Sequence, residues 1–189
     1  TFLREIHILT SNHPSILKLK GWSFIENALI VTFYMKNGSL FDCIKKSTKE
    51  KSFFTPTQKQ IILYGVSKGI EYLHSENIID RDIKSSNILL DEKFYPKICD
   101  FNLSKFTSDI YSEDQSVKCY TPNYEAPEIH TQNGYNCSVD VYSFGRIMYE
   151  LLADEIIKND SKIDLDNPKI PLNFSEIIME CQNNEASCR

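Results

Sequence analysis

The fold of this chain is decided by a stretch in its middle, which reads IDRDIKSSNILL at residues 79–90. Its polar residues lie at fixed offsets between apolar pairs that have the character of short strands. Asp82, Lys84 and Asn87 bring a carboxylate, an ammonium and a carboxamide together within six residues. This combination suits phosphate and metal chemistry, although a surface loop with ordinary charges would also explain the stretch taken by itself.

The composition of the 189 residues is that of an ordinary globular protein. Hydrophobic residues make up 41%, charged residues 25% and aromatic residues 12%, which suffices for one sizeable core or two small lobes. The formal net charge is −5, and no extended face is rich in lysine and arginine. We therefore expect a folded protein with no nucleic-acid partner.

Cysteine usage and apolar runs bear on the compartment. The six cysteines are scattered, with no Cys-x-x-Cys pair and no histidine at metal-ligand spacing, so we expect neither a disulfide framework nor a zinc site. No apolar run approaches the roughly twenty residues of a membrane span, and residues 1–6 do not form a signal peptide. These features predict a cytoplasmic protein without a membrane segment, and they leave its oligomeric state open.

The first part of the chain predicts one helix and two strands. The chain has no initiator Met and begins inside the helical pattern, so it looks like a fragment. Residues 16–19 and 28–35 are predicted as strands joined by a polar turn near residues 26–27, and the Gly-containing segment 36–39 is a candidate hinge between two lobes. The apolar face of the helix is formed by Phe2, Ile6 and Leu9.

Two further helices are marked by their N-caps. Ser39 is placed to cap a short helix over residues 40–46, and a mobile loop is predicted at 45–52. Thr55 and Gln58 have the spacing of a capping box at the start of a long core helix. The apolar stripe of that helix comprises Ile61, Ile62, Val66, Ile70 and Leu73.

The long helix also carries Gly65 and Gly69 on the side of its stripe, and we expect another helix to approach closely there. Residues 96–99 are predicted as a short strand. Residues 103–123 show no sustained periodicity, which predicts a long functional loop.

The apolar pattern returns in two helices near the end of the chain. The first covers residues 139–152, with Ser138 as the predicted N-cap. The second has an apolar face formed by Phe174, Ile177, Ile178 and Cys181.

Four motifs, in this order, resemble those of the eukaryotic protein kinase family. Residues 82–87 (DIKSSN) are similar to the catalytic loop, and residues 100–102 (DFN) to the metal-binding Asp-Phe-Gly. Residues 126–128 (APE) resemble the end of the activation segment, and residues 140–145 (DVYSFG) the start of the family's helix F. One short motif is weak evidence, whereas four collinear motifs at compatible spacings are strong evidence.

The resemblance implies a two-lobed α+β fold. Residues 1–35 would be the remnant of an N-lobe, with the family's helix C and two strands, and residues 36–189 the mainly α-helical C-lobe. The sequence contains neither the Gly-rich loop that covers the ATP phosphates nor the strand lysine that pairs with the acid of helix C. We therefore expect a protein kinase fold with a truncated N-lobe, and phosphate transfer by the isolated stretch that is absent or very weak.

The resemblance also implies roles in catalysis. Asp82 would orient the substrate hydroxyl and accept its proton, and Lys84 would stabilise the transferring phosphate. Asn87 and Asp100 would hold Mg²⁺ through oxygen ligands. Thr121 would contact both Asp82 and Lys84, and the lysine points to transfer to Ser/Thr hydroxyls of protein substrates.

ATP is the implied cofactor beside Mg²⁺, and its binding residues would come from both lobes. Leu9 and Leu19 would join Phe101 in an apolar spine behind the nucleotide. The implied nucleotide-binding residues are Glu5 as the acid of helix C, Thr32 as gatekeeper, Phe33, Tyr34 and Met35 as the adenine-facing hinge, Leu89 beneath the adenine ring, and Asp100.

Two arginines have roles implied by the family. Arg189 would pair with Glu128. Arg81 would pair with a phosphate on the activation segment. The candidate phosphorylation sites are Thr107, Ser108, Ser112 and Ser116.

Three residues depart from the family pattern. Asp80 stands where a histidine is usual, so its carboxyl group would be buried among apolar groups, and would become protonated, rotate out or mark lost activity. Asn102 replaces a glycine, a milder change because asparagine tolerates positive φ. Tyr120 also stands where a glycine is usual.

Two functions follow from this resemblance. The first is a fragment of the catalytic domain of a Ser/Thr protein kinase, with residues 37–40 and 85–91 most similar to the tyrosine-kinase-like group. The alternative is a pseudokinase, a scaffold or binding module without phosphoryl transfer, which Asp80 and Asn102 favour.

Overall fold

Alternating stretches of helical and strand periodicity fold into a mixed α+β structure, as the sequence predicts. The computed structural model describes residues 2–25, 27–48, 53–109, 123–130, 135–158 and 163–189. The α-helices in these ranges are α1 (Phe2–Leu9), α2 (Leu40–Ser47), α3 (Pro56–Ser75), α4 (Ser138–Ala153) and α5 (Leu172–Cys181). The strands are β1 (Leu19–Ser23), β2 (Leu29–Thr32), β3 (Ile78–Ile79), β4 (Ile88–Leu90), β5 (Pro96–Ile98) and β6 (Lys105–Phe106).

The described strands form three antiparallel pairs, β1 with β2, β3 with β6 and β4 with β5. The predicted bounds of the first two strands are wrong. The first strand begins at Leu19, where the prediction ended, and the second ends at Thr32. The physical reason is that Ile16 and Leu17 are buried beside β5, where the Leu17 backbone N–H donates to the Ile98 carbonyl at 2.9 Å, so they pack into the core.

The long helix α3 is the scaffold of the core. Its capping box is confirmed, because the Gln58 backbone N–H donates to Thr55 Oγ1 at 3.2 Å and the Thr55 N–H to Gln58 Oε1 at 2.9 Å. The predicted stripe is buried except for Ile61, which is half-buried. The fully buried members are Ile62, Val66, Ile70 and Leu73.

The partner of the two glycines in α3 is a strand, and the prediction of a helix there is wrong. A Cβ atom on Gly69 would lie 2.6 Å from Ile98 Cδ1, and one on Gly65 would overlap the ring of Pro96. Both neighbours belong to β5. The glycines therefore let α3 lie directly against the strand that leads to the 100–102 motif.

The predicted cap of α2 is confirmed and that of α4 is wrong. Ser39 Oγ accepts a hydrogen bond from the Asp42 N–H at 3.1 Å, and α2 continues to Ser47, which shortens the predicted loop. Ser138 lies inside the first turn of α4, and its N–H donates to Asn136 Oδ1 at 2.8 Å. The Ser138 hydroxyl donates to Glu128 Oε1 at 3.3 Å instead, so it does not cap α4.

The apolar face of α5 is narrower than its sequence predicts. Ile178 and Cys181 are buried, whereas Ile177 is 43% exposed, so its assignment to the buried face is wrong. In the described part of the chain, no helix is both long enough and apolar enough to cross a membrane.

Candidate active site

The backbone of the 80–87 loop is held by a buried carboxylate of α4. Asp140 is completely buried, and its two oxygens accept the backbone N–H groups of Asp80 at 3.0 Å and Arg81 at 2.8 Å. The His74 Nε2 atom, in the last turn of α3, lies 2.8 Å from Asp140 Oδ2. Arg81 has a φ of +68°, an uncommon conformation for a residue with a side chain, which these bonds stabilise.

Lys84 and Asn87 both contact the carboxylate of Asp82. Lys84 Nζ lies 2.7 Å from Asp82 Oδ2, and Asn87 Nδ2 donates to the same oxygen at 2.9 Å. The Asn87 amide also donates to the Asp82 carbonyl at 3.1 Å. Because Asp82 and Asn87 are both buried, these bonds hold the Asp82 carboxylate in one orientation.

Asp100 follows β5 and lies next to the end of this loop. The Cys99 backbone N–H donates to the Asn87 carbonyl at 3.0 Å, so β4 and β5 bring the two predicted metal ligands to neighbouring positions. Asp100 is exposed, and Asn102 Nδ2 donates to its Oδ1 atom at 2.6 Å. The φ of Asp100 is positive, at +63°, whereas that of Asn102 is not, so the tolerance of asparagine for positive φ is not used at this position.

The predicted metal ligands at this end of the loop carry oxygen donors. Among the described residues, no group of three or more His, Cys, Asp or Glu side chains could hold a metal ion. Asn87 and Asp100 thus offer one amide and one carboxylate. Such a pair suits Mg²⁺, which proteins hold with one or two oxygen side chains while substrate phosphates and water complete the shell.

Glu5 of α1 lies within electrostatic reach of Asp100. Burial, and then the negative charge of Asp100, raises the pKa of the Glu5 carboxyl above its ordinary value. The helix is tied to the same region through Arg4, whose Nη1 donates to the Ser104 carbonyl at 2.6 Å. The predicted helix C acid therefore faces the segment that follows Asp100.

The predicted hinge residues follow β2 and vary in burial. Thr32 and Met35 are half-buried, whereas Phe33 and Tyr34 are exposed. The segment after them is bonded to β4, since Asn37 N–H donates to the Leu90 carbonyl at 3.1 Å and Leu90 N–H to the Gly38 carbonyl at 2.9 Å.

The residues given an apolar role all lie in or against the main hydrophobic core. Leu89 and Leu19 are half-buried against it, and Leu9 and Phe101 are buried within it. Burial alone suits these residues to any packed fold. The place of Leu89 beneath the adenine ring, and of Leu9, Leu19 and Phe101 in an apolar spine, stays a prediction.

Arg81 is bonded to protein groups in this structure. Its Nε donates to the Leu103 carbonyl at 2.7 Å, and Nη1 to the Tyr135 hydroxyl at 2.9 Å. Thr107 and Ser108 are exposed. The other predicted residues of the activation segment, Ser112, Ser116, Tyr120 and Thr121, lie outside the described residues.

The predicted pair of Arg189 with Glu128 is confirmed. Arg189 Nη1 and Nη2 donate to the two carboxylate oxygens at 2.6 and 2.8 Å, and the arginine side chain is completely buried. Burial opposes ionisation of Glu128, but the hydrogen bonds from Arg189 outweigh it and keep the pKa of the carboxyl below its ordinary value. The pair ties the 126–128 motif to the end of the described chain.

A buried network joins the loop to α4, and the sequence did not predict it. The Tyr124 hydroxyl donates to Glu150 Oε2 at 2.7 Å and lies 2.8 Å from Ser85 Oγ. Glu150 is completely buried, and its other oxygen accepts the Ile157 N–H at 3.1 Å. Ser85, Tyr124 and Glu150 are too far apart in the sequence to form a recognisable motif. The sequence indicated only that Glu150, a charged residue on the buried side of α4, needs a partner.

Asp80 is buried, as the sequence predicts, and has not rotated out. Its exposed fraction is 1%; Oδ1 accepts the Asp82 N–H at 3.2 Å, and Oδ2 has no hydrogen-bond partner among the described residues. Burial, followed by the charges of Asp140, Asp82 and Asp100, raises the pKa of the Asp80 carboxyl well above its ordinary value. At pH values between the unfolded and the folded pKa, the folded protein therefore binds a proton here that the unfolded chain releases.

This proton predicts a pH-dependent effect of Asp80→Asn. Between the unfolded and folded pKa values the folded state binds the extra proton, so stability falls as the pH rises through that window. An amide has no such dependence. We expect the free energy of unfolding of Asp80→Asn, relative to that of the parent, to be higher at pH 8 than at pH 4 by about 1–3 kcal/mol.

Urea denaturation of both proteins at the two pH values measures this difference. The exposed Asp166→Asn exchange is the matched control, and we expect a change of less than about 0.5 kcal/mol at either pH. An Asp80→Asn effect that is the same at pH 4 and pH 8 would show that the Asp80 carboxyl is charged in the folded protein.

The ordered motifs and their contacts define a protein kinase domain, and the chain belongs to the protein kinase family. The family model described as the protein kinase domain matches residues 1–187.

Several curated proteins are similar to this chain. A protein named probable serine/threonine-protein kinase from Dictyostelium discoideum is 37% identical over 191 residues, which cover 96% of this chain and 18% of that protein. The serine/threonine-protein kinase CTR1 of Arabidopsis thaliana is 38% identical over 79% of this chain and 18% of its own length. The cAMP-dependent protein kinase type 3 of Saccharomyces cerevisiae is 38% identical over 75% of this chain and 34% of its own length. The chain thus spans about a third or less of the length of these relatives.

Proposed function

We propose that this chain is part of the catalytic domain of a serine/threonine protein kinase, which in the full-length enzyme transfers the γ-phosphate of ATP to Ser and Thr hydroxyls of protein substrates. The observation that carries the proposal is the convergence of Lys84 and Asn87 on the Asp82 carboxylate, with Asp100 beside them. The relatives named as serine/threonine kinases support the choice of acceptor.

Asp82 and Lys84 carry the proposed chemistry of the acceptor. The Asp82 carboxylate orients the incoming hydroxyl and accepts its proton, since its position is already set by two hydrogen-bond donors. Lys84 moves its ammonium from Asp82 toward the transferring phosphate and offsets its negative charge. Thr121, which lies outside the described residues, completes this site as a contact to both side chains.

Asn87 and Asp100 are the proposed metal-holding residues. When bound there, Mg²⁺ supplies positive charge that offsets the negative charge of the phosphates. The Asn87 amide hydrogens are occupied by Asp82, which turns its oxygen toward other partners. Asp100 would exchange its bond with Asn102 for the metal.

The proposed nucleotide site lies between the two predicted lobes, residues 1–35 and 36–189. Its hinge side is formed by residues 32–35 and its lower side by Leu89, and both pack against the same core. Glu5 of α1 is near enough to Asp100 for an electrostatic effect, since burial, and then the charge of Asp100, raises the pKa of the Glu5 carboxyl.

The group and compartment are also proposals. Similarity of residues 37–40 and 85–91 to the tyrosine-kinase-like group supports assignment to it. The described cysteines are free, which supports a reducing, cytoplasmic compartment.

A phosphoryl-transfer assay tests the proposal. The longest natural chain that contains these residues is incubated with Mg²⁺, radiolabelled ATP and peptides that carry Ser, Thr or Tyr as the acceptor. We expect label on Ser and Thr and none after addition of EDTA. Label on tyrosine alone would contradict the proposed acceptor, and the absence of all transfer would favour the pseudokinase alternative, which the buried, unpartnered oxygen of Asp80 supports.

A further inference from the structure

A basic cavity lies beside the predicted hinge. Its volume is about 400 Å³, and it is formed by the segment after β2 and the first turns of α2. The exposed ring of Tyr34 forms one wall, and the charged lining consists of Asp42 with three lysines, Lys36, Lys45 and Lys46.

The positive charge of this cavity is not neutralised by the described residues. Among them, no carboxylate forms an ion pair with Lys36, Lys45 or Lys46, and all three side chains are exposed. The Asp42 carboxylate, whose Oδ2 accepts the Ser39 hydroxyl at 2.7 Å, keeps its charge and offsets part of this positive charge, so the lining of three lysines and one aspartate remains net positive. The cavity is therefore a concentrated cationic site on a chain whose formal net charge is −5.

The cavity is connected to the proposed catalytic loop through β4. Ser39 and Leu89 form an antiparallel bridge, and two backbone hydrogen bonds join residues 37–38 to Leu90. Leu89 follows Asn87 by two residues. An extended peptide advances by about 3.3 Å for each residue, so a substrate whose acceptor lies at Asp82 carries its flanking side chains away from the acceptor at that spacing.

We infer that this cavity binds an acidic segment of the protein substrate, through carboxylates or a phosphoserine near the acceptor residue. The inference rests on the proposed function, because it places the acceptor at Asp82. Lysine ammoniums bind anionic oxygens as flexible point charges, which fits either anion. A peptide with a few negative charges suits three clustered cations, whereas a long nucleic acid would be repelled by the net negative charge of the rest of the surface.

Peptide binding tests the inference without any need for phosphate transfer. Fluorescein-labelled peptides that share one Ser acceptor, and carry flanking Glu, phosphoserine or Gln residues, are titrated with the full chain in the absence of ATP. The cavity variant is Lys45→Gln/Lys46→Gln. The control variant, Lys18→Gln/Lys93→Gln, removes the same charge from exposed residues outside the cavity.

We expect the acidic or the phosphorylated peptide to bind more tightly than the Gln peptide. Its affinity should fall about tenfold in the cavity variant and stay unchanged in the control. The variant Lys45→Arg/Lys46→Arg, which keeps the charge, should retain binding. Whichever anionic peptide binds more tightly identifies the source of the negative charge.

Three results would overturn the inference. They are equal binding of the Gln peptide, an equal loss in the control variant, and tighter binding of an RNA oligonucleotide with the same dependence on Lys45 and Lys46.

A failure of this inference is distinct from a failure of the proposed function. If Ser/Thr transfer proceeds but the KM is equal for the Glu and Gln peptides, only the cavity assignment is wrong. If lysine-dependent binding occurs without transfer, only the enzymatic proposal is wrong.

Discussion

Replacement of Asp82 by asparagine is expected to slow phosphoryl transfer by about 10²–10⁴-fold, the usual contribution of a general base. An amide keeps the shape of the side chain but cannot accept the proton of the substrate hydroxyl. It also removes the charge that Lys84 contacts at 2.7 Å. Because the groups that fix the loop backbone belong to Asp140, the fold of the loop should remain.

The measurement is kcat and KM for ATP in the longest natural chain that contains these residues. We expect the loss in kcat with little change in KM, since in the proposed function Asp82 contacts the acceptor and not the nucleotide. Asp166→Asn changes an exposed carboxylate far along the chain and should leave both constants unchanged. A kcat for Asp82→Asn within twofold of the parent would rule out the role of Asp82.

Replacement of Arg189 by glutamine is expected to lower the free energy of unfolding by about 3–5 kcal/mol. The guanidinium is completely buried and bonds Glu128 through two nitrogens. It also donates to the carbonyls of Asn183 at 2.6 Å and Asn184 at 3.2 Å. Removal of the cation leaves a partly buried carboxylate and carbonyl oxygens without their donor. Acceptors left unsatisfied in this way cost more free energy than removal of both partners of a pair.

Urea denaturation at pH 7 measures this loss, and Lys68→Gln provides the comparison. Lys68 pairs with Glu71 in an exposed position, so its replacement should cost far less than that of Arg189. The pKa of Glu128 is held low in the folded state, so the cost of Arg189→Gln should shrink as the pH falls below the unfolded value of about 4.3. A loss no larger than that of Lys68→Gln would show that the pair does not stabilise the fold.

The confirmed predictions that came from the residues alone rest on short sequence separations, whereas the Arg189–Glu128 pair, 61 positions apart, was implied by the family resemblance. The capping box of Thr55 and the cap of Ser39 each involve residues three positions apart, so the local sequence contains both partners. The convergence on Asp82 involves five residues of separation at most. The failures at Ser138, Gly65 and Gly69 have one cause, because in each case the group that contacts the residue comes from a distant segment.

The sequence by itself determined the order of the motifs, the helix caps at Ser39 and Thr55 and the chemical groups of the 79–90 stretch, because these depend on residues close along the chain. Only the tertiary structure decided that Asp140 and His74 hold the loop, and that Tyr124 links it to Glu150. It also decided that one oxygen of Asp80 has no hydrogen-bond partner in the part of the chain that the structure describes. The hydrogen bonds of Asp140 and Tyr124 join residues 26 to 66 positions apart. Whether such side chains meet depends on how whole helices pack against one another.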